Sequence, residues 1–451
     1  MDADDDDDAS DGDVVAVVRV HARMRRRSSA SARVVEAAVR RFVRDRGGID
    51  DARGGWVRES EGDRTRETGA YVWEHVERMY VASVEWVEGA VRSRRLLACS
   101  CRVVARAYRW AEEGDGAEGR CEGEESELCR ERMLPCESLE DAWESLEFED
   151  DSIKERLLGY SATAVVFGER NVNQSLVSWN RVVLLHGPPG TGKTTLCRAL
   201  AQRLSIRFSH VYAKSVLVEV NAHSLFSRYF SESPKTVSKL FRRIQELIDR
   251  GDSLVFVMID EVESLAAART SALGGSEPSD AIRVVNALLT HIDALKSQPN
   301  VLVLATSNIT KAIDLAFVDR ADIKCFIGPP GARARYEILR SSVHELIHRG
   351  LLIGAAPMPF DEVAATSQCD TSRELQSAAE ACDGLSGRAM RKLPFLSFAA
   401  VTSTGTCSVE KFIRALRAQA LSEISDRRRI RDNENNIQQL SPARALSEHI
   451  F

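Results

Sequence analysis

A glycine-rich run in the middle of the chain has the residue types and the spacing to bind the phosphates of a nucleotide. The run and its continuation are Gly187, Pro188, Pro189, Gly190, Thr191, Gly192, Lys193, Thr194 and Thr195. An apolar segment at residues 182–185 leads directly into it and a helix-like segment follows, which separates a phosphate-binding loop from a chance match. The glycines let backbone N–H groups close around phosphates at the positive end of the helix. Lys193 is predicted to reach the β- and γ-phosphates, and Thr194 to complete the coordination of Mg²⁺.

Two adjacent carboxylates follow a second apolar run. Residues 254–259 are all apolar, and Asp260 and Glu261 come directly after them. Two carboxylates at a strand end are costly to bury without cations, so a metal site is the natural explanation, with an acidic turn as the alternative. Asp260 is predicted to hold Mg²⁺ through water, and Glu261 to polarise the attacking water. Because position 261 is neither Gln nor Asn, the sequence predicts hydrolysis of the nucleotide and not binding alone.

Short apolar runs alternate with amphipathic helical segments from residue 181 onward, which is typical of a parallel sheet covered by helices on both faces. The predicted strands are residues 181–186, 216–220, 254–259, 301–306 and 324–327. After Gly328 the pattern becomes helical, over residues 334–346, 370–381, 387–396 and 409–424. The sequence therefore predicts an α/β nucleotide-binding domain at 139–330, a small helical lid domain at 331–425, and a tail without a recognisable fold at 426–451.

A smaller α+β domain is predicted at residues 14–111. Strand-like composition occurs at residues 14–20, 81–87 and 101–108. One helix face is indicated by apolar residues at helical spacing, Val35, Ala38, Val39, Phe42 and Val43.

Two segments around this domain have the composition of unfolded chain. Residues 1–13 are almost all Asp and small residues, and they lack the basic start and apolar run of a secretory signal, so a disordered acidic tail is expected. Residues 112–138 are predicted to be an acidic linker, because residues 112–127 are crowded with Glu and Gly.

The length and composition agree with several cores in one chain. At 451 residues with 44% apolar residues, the chain exceeds what one core usually organises, and two or three domains are expected. A net charge of -6 is mild for this size and by itself argues neither for nor against a nucleic-acid partner. No apolar stretch is long enough to span a bilayer. The ten cysteines fit no usual zinc spacing, which favours reduced intracellular thiols.

Several motifs together resemble the pachytene checkpoint protein 2 family of AAA+ ATPases. Beyond the phosphate-binding loop, they are Ser227-Arg228-Tyr229-Phe230, Ile259-Asp260-Glu261-Val262-Glu263, Phe317-Val318-Asp319-Arg320 and Gly384-Leu385-Ser386-Gly387-Arg388. The resemblance covers residues 139–424, and residues 18–21 with the following serine-rich turn and basic helix look like the family's N-terminal substrate-recognition domain. It implies an AAA+ module, that is, a parallel-sheet ATPase domain with a helical lid.

The resemblance also implies roles for three polar residues. Asn308, at the end of a predicted strand, would orient the attacking water as sensor 1, although a lone Asn there is usually a turn former. Arg320 would act as an arginine finger on the γ-phosphate of the adjacent subunit. A salt bridge from Arg320 to Asp319 or Asp322 is the alternative. Arg388 would report the nucleotide state to the lid as sensor 2, and its alternative is a surface arginine at a helix start.

Tyr229 and Phe230 lie where AAA+ rings expose an aromatic loop to the central channel. An aromatic side chain there grips an extended polypeptide regardless of its sequence. Phe230 could equally pack inward. The family often has Trp where this chain has Tyr229, which should preserve the grip.

The family's known activity supplies the functional expectation. Its members are hexamers that use ATP and Mg²⁺ to unfold part of a HORMA-domain protein, converting its closed form to the open one, usually with a HORMA-like adaptor. This activity serves inactivation of the spindle checkpoint and removal of meiotic axis proteins from chromosomes. The resemblance thus implies a homo-hexamer in the nucleus and cytoplasm, on chromosomes in meiosis, without a membrane.

Two other classes of function are compatible with parts of the sequence. A nucleic-acid motor or loader would also use an AAA+ module, and Arg25, Arg26 and Arg27 form a basic cluster in the N-terminal region. A solvated loop explains that cluster equally, and no aromatic residues interleave with it as a platform for single strands requires. A nucleotide-gated scaffold is disfavoured by the intact Lys193 and Glu261.

Overall fold

The computed structural model describes residues 16–46, 56–57, 60, 63, 66–87, 101–111, 129–150, 152–222, 233–265, 280–308, 315–363, 370–401 and 405–445. The acidic tail at 1–13, the Glu-rich part of the linker and the aromatic loop with Tyr229 and Phe230 lie outside the described residues.

The N-terminal part of the described chain is an α+β domain. Its elements are β1 (Ala16–Met24), α1 (Ala32–Asp45), β2 (Trp56–Val57), α2 (Glu67–His75), β3 (Val76–Trp86) and β4 (Cys101–Tyr108). The strand order is β2-β3-β1-β4, with β1 antiparallel to β3 and parallel to β4. Helix α1 begins where the Ser31 side chain accepts a hydrogen bond from the N–H of Val34. Its predicted apolar face is buried in the core of this domain through Val35, Val39, Phe42 and Val43.

The second domain is an α/β domain built on a largely parallel sheet. Its elements are β5 (Cys129–Leu134), α3 (Ser152–Glu169), β6 (Val182–His186), α4 (Lys193–Arg207), β7 (Lys214–Asn221), α5 (Ser233–Asp249), β8 (Ser253–Asp260), α6 (Asp280–Leu295), β9 (Val301–Ser307), α7 (Leu315–Val318) and β10 (Ile323–Phe326). The strand order is β10-β6-β9-β8-β7-β5, and β5 alone among these described strands runs antiparallel.

Alternate residues of the central strands serve two cores, one on each face of this sheet. In β8, Val255, Val257 and Ile259 pack in the core that contains α5 and α6. The intervening Leu254, Phe256 and Met258 pack in the core that contains α3 and α4. A strand buried on both faces needs a continuous apolar run, which explains why the sequence located these strands within one or two residues.

The third domain is the helical lid. Its elements are α8 (Ala332–His348), β11 (Leu352–Ile353), α9 (Phe360–Val363), α10 (Asp370–Ala381), α11 (Gly387–Met390), α12 (Leu393–Val401), β12 (Cys407–Ser408) and α13 (Val409–Ala445). A separate core joins α8, α10, α12 and the start of α13 around the buried side chains of Tyr336 and Phe412. Among the described helices, including the 37-residue α13, none combines the length and the apolar character of a bilayer span.

Three segments differ from the sequence-based expectation. Residues 129–134, assigned to the linker, form β5 at the edge of the sheet, where charged residues are tolerated. Glu131 of this strand pairs with Arg243 of α5 at 3.0 Å. Residues 426–445, assigned to the tail, extend α13 as a polar helix with no apolar stripe to reveal it. The helix predicted at 387–396 is split, because Pro394 lacks the N–H needed inside a helix and sits in the first turn of α12.

The N-terminal domain packs against the C-terminal end of α4. Tyr80, Tyr108 and Ile206 form a small buried cluster across the boundary. The Arg203 guanidinium lies 4.4 Å from the ring centroid of Tyr80, and it forms an ion pair with Glu144. Because α4 begins at the phosphate-binding loop, one helix connects the N-terminal domain to the nucleotide site.

We expect Arg203→Ala to weaken this docking by about 2 kcal/mol, since it removes the cation–π contact with Tyr80 across the domain boundary. Limited proteolysis should then separate the N-terminal domain from the ATPase domain about 30-fold faster, if cleavage follows the opened population. Arg203→Lys keeps the charge and loses the planar stacking, so its cleavage rate should lie between that of the unaltered chain and that of Arg203→Ala. Arg427→Ala, on the exposed part of α13, is the control. Equal cleavage rates for Arg203→Ala and the unaltered chain would show that Arg203 does not hold the two domains together.

Candidate active site

The phosphate-binding loop joins the end of β6 to the start of α4. Its backbone adopts positive φ angles, 146° at Gly187 and 78° at Gly190. A Cβ atom at residue 187 would lie 2.2 Å from the carbonyl oxygen of Ile327, and one at residue 190 would lie 2.8 Å from Oγ of Ser386. Both positions therefore require glycine. The loop has the tight backbone curvature that a phosphate cradle needs.

Lys193 is the first residue of α4, and its side chain folds back onto the loop. The Nζ atom donates to the carbonyl oxygens of Gly187 at 2.9 Å and Pro188 at 2.7 Å, and 4% of the residue is exposed. Burial lowers the pKa of Lys193, and the carboxylates of Glu263 and Asp260 oppose that effect. The ammonium is thus held next to the loop, where it can bind phosphate oxygens as a point charge.

The other predicted loop residues shape the turn. The Thr191 hydroxyl donates to the carbonyl oxygen of Pro188 at 3.0 Å. Pro189 is exposed, Gly192 precedes α4 with a φ of 99°, and Thr195 is half-buried in the first turn of the helix. The loop and the first turn of α4 therefore occupy the positions predicted for phosphate binding.

Asp260, the last residue of β8, accepts hydrogen bonds from two hydroxyl groups. Oγ1 of Thr194 lies 3.1 Å from Oδ1 and 3.3 Å from Oδ2 of this carboxylate. Oγ1 of Thr306, in β9, also donates to Oδ1. These hydroxyl and carboxylate oxygens are hard ligands of the type that Mg²⁺ prefers, so Thr194 and Asp260 fit the predicted metal site.

Glu261 follows at the tip of β8 in a left-handed conformation. Its φ angle is 60°, which is uncommon for a residue other than glycine and is found at functional sites. The next residues form a helical turn in which the Ser264 N–H donates to the carbonyl oxygen of Glu261 at 3.1 Å. The N–H of Val262 donates to the carbonyl oxygen of Thr306 at 3.0 Å, which ties this turn to the neighbouring strand.

Asn308 lies directly after β9, and β9 runs between β6 and β8 in the sheet. The strand order therefore places the start of this segment between the phosphate-binding loop and the Asp260 turn. The main-chain N–H of Asn308 donates to Oε1 of Glu263 at 3.1 Å.

Arg388, in the lid, meets the loop through its backbone. The N–H of Arg388 donates to the carbonyl oxygen of Gly190 at 3.1 Å, and Ser386 caps the start of α11. The side chain is exposed at a helix start, as the alternative expected, but its charge also acts on Lys193 and helps to lower the pKa of that lysine. The lid residue predicted as sensor 2 thus adjoins the nucleotide site.

Arg320 pairs with a residue that the sequence did not indicate. Its guanidinium forms two bonds with Asp293 of α6, from Nε at 2.9 Å and from Nη2 at 2.6 Å. The alternative partner Asp322 instead accepts hydrogen bonds from the main-chain N–H groups of Asn180 and Arg181. Asp293 therefore fixes the position of Arg320 within its own subunit.

Comparison with known proteins decides the family. The profile of the ATPase family associated with various cellular activities (AAA) matches residues 183–329, and the TRIP13-like AAA+ ATPase lid C-terminal domain matches residues 331–424. A pachytene checkpoint protein 2 homolog from Oryza sativa subsp. indica is 50% identical over 362 residues, which are 76% of this chain and 75% of that protein. The homolog from Homo sapiens is 43% identical over 376 residues, 80% of this chain and 87% of that protein.

The chain belongs to the pachytene checkpoint protein 2 family. It is an ATPase, and it binds nucleotide through the AAA module. The family assignment made from the motifs is confirmed.

Solved structures confirm the predicted fold class. The structure of PCH-2 from C. elegans is similar with a TM-score of 0.72 and 30% identity, and it covers 91% of this chain and 99% of that chain. A structure of an E. coli MS115-1 HORMA:CdnC:Trip13 complex is similar with a TM-score of 0.51 and 18% identity, covering 66% of this chain and 97% of that chain. At that identity the second likeness shows the fold alone.

Thr306 and Glu263 adjoin the site, although no pattern in the sequence indicates a role for either residue. Thr306 lies two residues before Asn308, and Glu263 lies two residues after Glu261. Their hydrogen bonds join the end of β8 to the end of β9. The residue pattern of one β-strand does not predict which residues of a neighbouring strand it contacts.

Thr306→Val should lower the kcat for ATP hydrolysis about tenfold and leave the KM for ATP within about threefold, because Asp260 loses a donor that orients its carboxylate. Steady-state ATPase kinetics measure both constants. Thr290→Val is the matched control, since the Thr290 hydroxyl donates to the carbonyl oxygen of Asn286 within its own helix at 2.9 Å. An unchanged kcat in Thr306→Val would show that this hydroxyl does not support the function of Asp260.

Proposed function

We propose that this ATPase is a hexameric remodeler that partially unfolds HORMA-domain proteins and converts their closed form to the open form. The observation that carries the proposal is the presence, on a chain of this family, of the residue types that hydrolysis of ATP requires. Lys193 begins the helix that follows β6, Asp260 and Glu261 lie at the end of β8, and the hydrogen bond from Thr194 to Asp260 joins the two segments. Glu261 retains the carboxylate that a base requires. The name of one structure with the same fold couples Trip13 with a HORMA protein, and this supports the class of substrate.

Each site residue has a distinct part in the proposed reaction. The loop amides and Lys193 bind the phosphates, and Glu261 takes a proton from the attacking water while Asn308 orients it. Thr194 and Asp260 would hold Mg²⁺, which neutralises charge on the phosphate oxygens when it is bound. Arg388 links this site to the lid, because its main-chain N–H already contacts Gly190.

Arg320 and the aromatic loop make the ring part of the proposal. Among the described residues, the Arg320 side chain bonds Asp293 and the carbonyl oxygen of Ala316, so its proposed action on the γ-phosphate of an adjacent subunit requires it to exchange the Asp293 pair for that phosphate. Tyr229 and Phe230 would grip the unfolding segment in the central channel. The homo-hexamer is the assembly in which both roles are possible.

The N-terminal domain is the proposed site of substrate recognition. It packs on the C-terminal end of α4, so its position is mechanically linked to the helix that begins at the phosphate-binding loop. The basic cluster is partly engaged within the chain, since Arg25 donates to the carbonyl oxygen of Trp73 at 3.1 Å and Arg26 pairs with Glu137 at 2.9 Å. These contacts favour a protein substrate over direct binding of nucleic acid.

The proposed cellular roles follow from the family. We place the protein in the nucleus and cytoplasm, on chromosomes in meiosis, with roles in remodelling of the meiotic axis and in control of the spindle checkpoint. A HORMA-like adaptor would deliver the substrate.

The proposal predicts which macromolecule stimulates ATP turnover. A purified HORMA-domain protein, with its adaptor, should raise kcat several-fold, whereas single- or double-stranded DNA should have no effect across a salt series. The Glu261→Gln variant should lose turnover by at least about 100-fold while ATP binding survives, because the water lacks its base. This variant should retain the HORMA protein in the presence of ATP but fail to convert it.

Two outcomes would contradict the proposal. Stimulation by DNA that weakens with salt, without stimulation by the HORMA protein, would identify a nucleic-acid motor instead. Turnover at the unaltered rate in Glu261→Gln would remove the assignment of the base.

A further inference from the structure

The turn that carries Glu261 contains a second glutamate with an unusual environment. Glu263 lies three residues after Asp260 and is half-buried. Its Oε1 accepts the main-chain N–H of Asn308 at 3.1 Å. Its Oε2 is buried and has no hydrogen-bond partner among the described residues. A buried carboxylate oxygen without a partner carries a desolvation cost, so the position calls for a functional reason.

The bond to Asn308 lies just beyond the end of the regular sheet. β9 ends at Ser307, whose carbonyl oxygen accepts the N–H of Gly187 at 3.2 Å. The main-chain N–H of the next residue, Asn308, donates a hydrogen bond to the Glu263 carboxylate. A hydrogen bond to a charged acceptor is about twice as strong as one between neutral groups, so this contact fixes the residue after the strand more firmly than another turn bond would.

The β8 turn and the end of β9 are joined beyond Asp260 by hydrogen bonds of different kinds. The Val262 N–H to Thr306 carbonyl bond is made by backbone alone. The hydrogen bond between Glu263 and Asn308 uses the Glu263 side chain, so a substitution at residue 263 can remove it. Loss of the Glu263 carboxylate would leave Thr306 fixed while Asn308 could swing.

The same carboxylate also acts on the phosphate-binding loop. Its charge opposes the lowering of the Lys193 pKa by burial, and it does so more strongly than Asp260. Glu263 therefore favours the charged form of Lys193.

We propose that Glu263 is a positioning residue for ATP hydrolysis. It holds the main chain of Asn308, and thereby sets where the Asn308 amide meets the attacking water. The proposal rests on the ATPase activity of the family and on the role of Asn308 proposed above. It does not depend on which protein is remodelled.

The test separates the hydrogen bond from the charge. Glu263→Gln keeps an acceptor oxygen for the Asn308 N–H and removes the charge, so its kcat should stay within about threefold of the unaltered chain. Glu263→Ala removes both, and its kcat should fall at least about tenfold while the KM for ATP changes by less than about threefold. A loss of folding would instead lower the unfolding temperature, which is measured on the same samples. Glu345→Ala, an exposed glutamate in α8, is the control for loss of a carboxylate.

A double-mutant cycle decides whether Glu263 acts through Asn308. Asn308→Ala should also lower kcat, and adding Glu263→Ala to it should lower kcat by less than about twofold more, since both changes remove the same alignment. Multiplied effects in the double variant would overturn the proposal, as would an unaltered kcat in Glu263→Ala or an equal loss in Glu263→Gln. Because the readout is ATP turnover without a substrate protein, failure of the HORMA proposal would leave this result unaffected.

Discussion

The nucleotide site depends on the hydrogen bonds that the Asp260 carboxylate accepts. This carboxylate accepts one hydroxyl from Thr194, at the start of α4, and one from Thr306, in β9. The end of β8, the beginning of the phosphate-binding helix and the neighbouring strand are thus held at one point. Lys193 and Glu261, which are proposed to act together on one phosphate group, therefore lie on elements that these hydrogen bonds join. The buried Lys193 ammonium and the nearby carboxylates offset each other's desolvation, which allows a charged site to persist within the fold.

Helix α4 extends this arrangement to the rest of the chain. At its first turn the lid contacts the loop through the bond from Arg388 to Gly190. At its last turns Arg203 and Ile206 contact the N-terminal domain. The phosphate-binding loop therefore contacts the lid directly, and α4 connects it to the N-terminal domain. A movement of the loop on binding or hydrolysis of nucleotide can reach both domains. This gives a physical route by which ATP turnover could move a bound substrate.

The sequence predicts a strand or a loop correctly where the pattern that identifies it lies within that one segment. The β8 run is apolar throughout because both faces of the strand are buried, and the phosphate-binding loop is specified by consecutive residues. The prediction fails where the stabilising partner comes from elsewhere. In β5 the charged Glu131 has its partner, Arg243, on α5, and the end of α13 has a polar sequence. The Asp293 partner of Arg320 and the Glu263 partner of Asn308 lie on other elements, so only the folded structure shows them.

The most direct test of a site shared between subunits combines two inactive variants. Arg320→Ala lacks the residue proposed to act on the neighbour, and Glu261→Gln lacks the base of its own site. When the two are co-expressed in equal amounts, about one quarter of the sites should pair an intact Glu261 with an intact Arg320 from the adjacent subunit, and ATP turnover should recover to that level. Turnover no higher than that of the separate variants would contradict a catalytic Arg320 supplied by a neighbouring subunit.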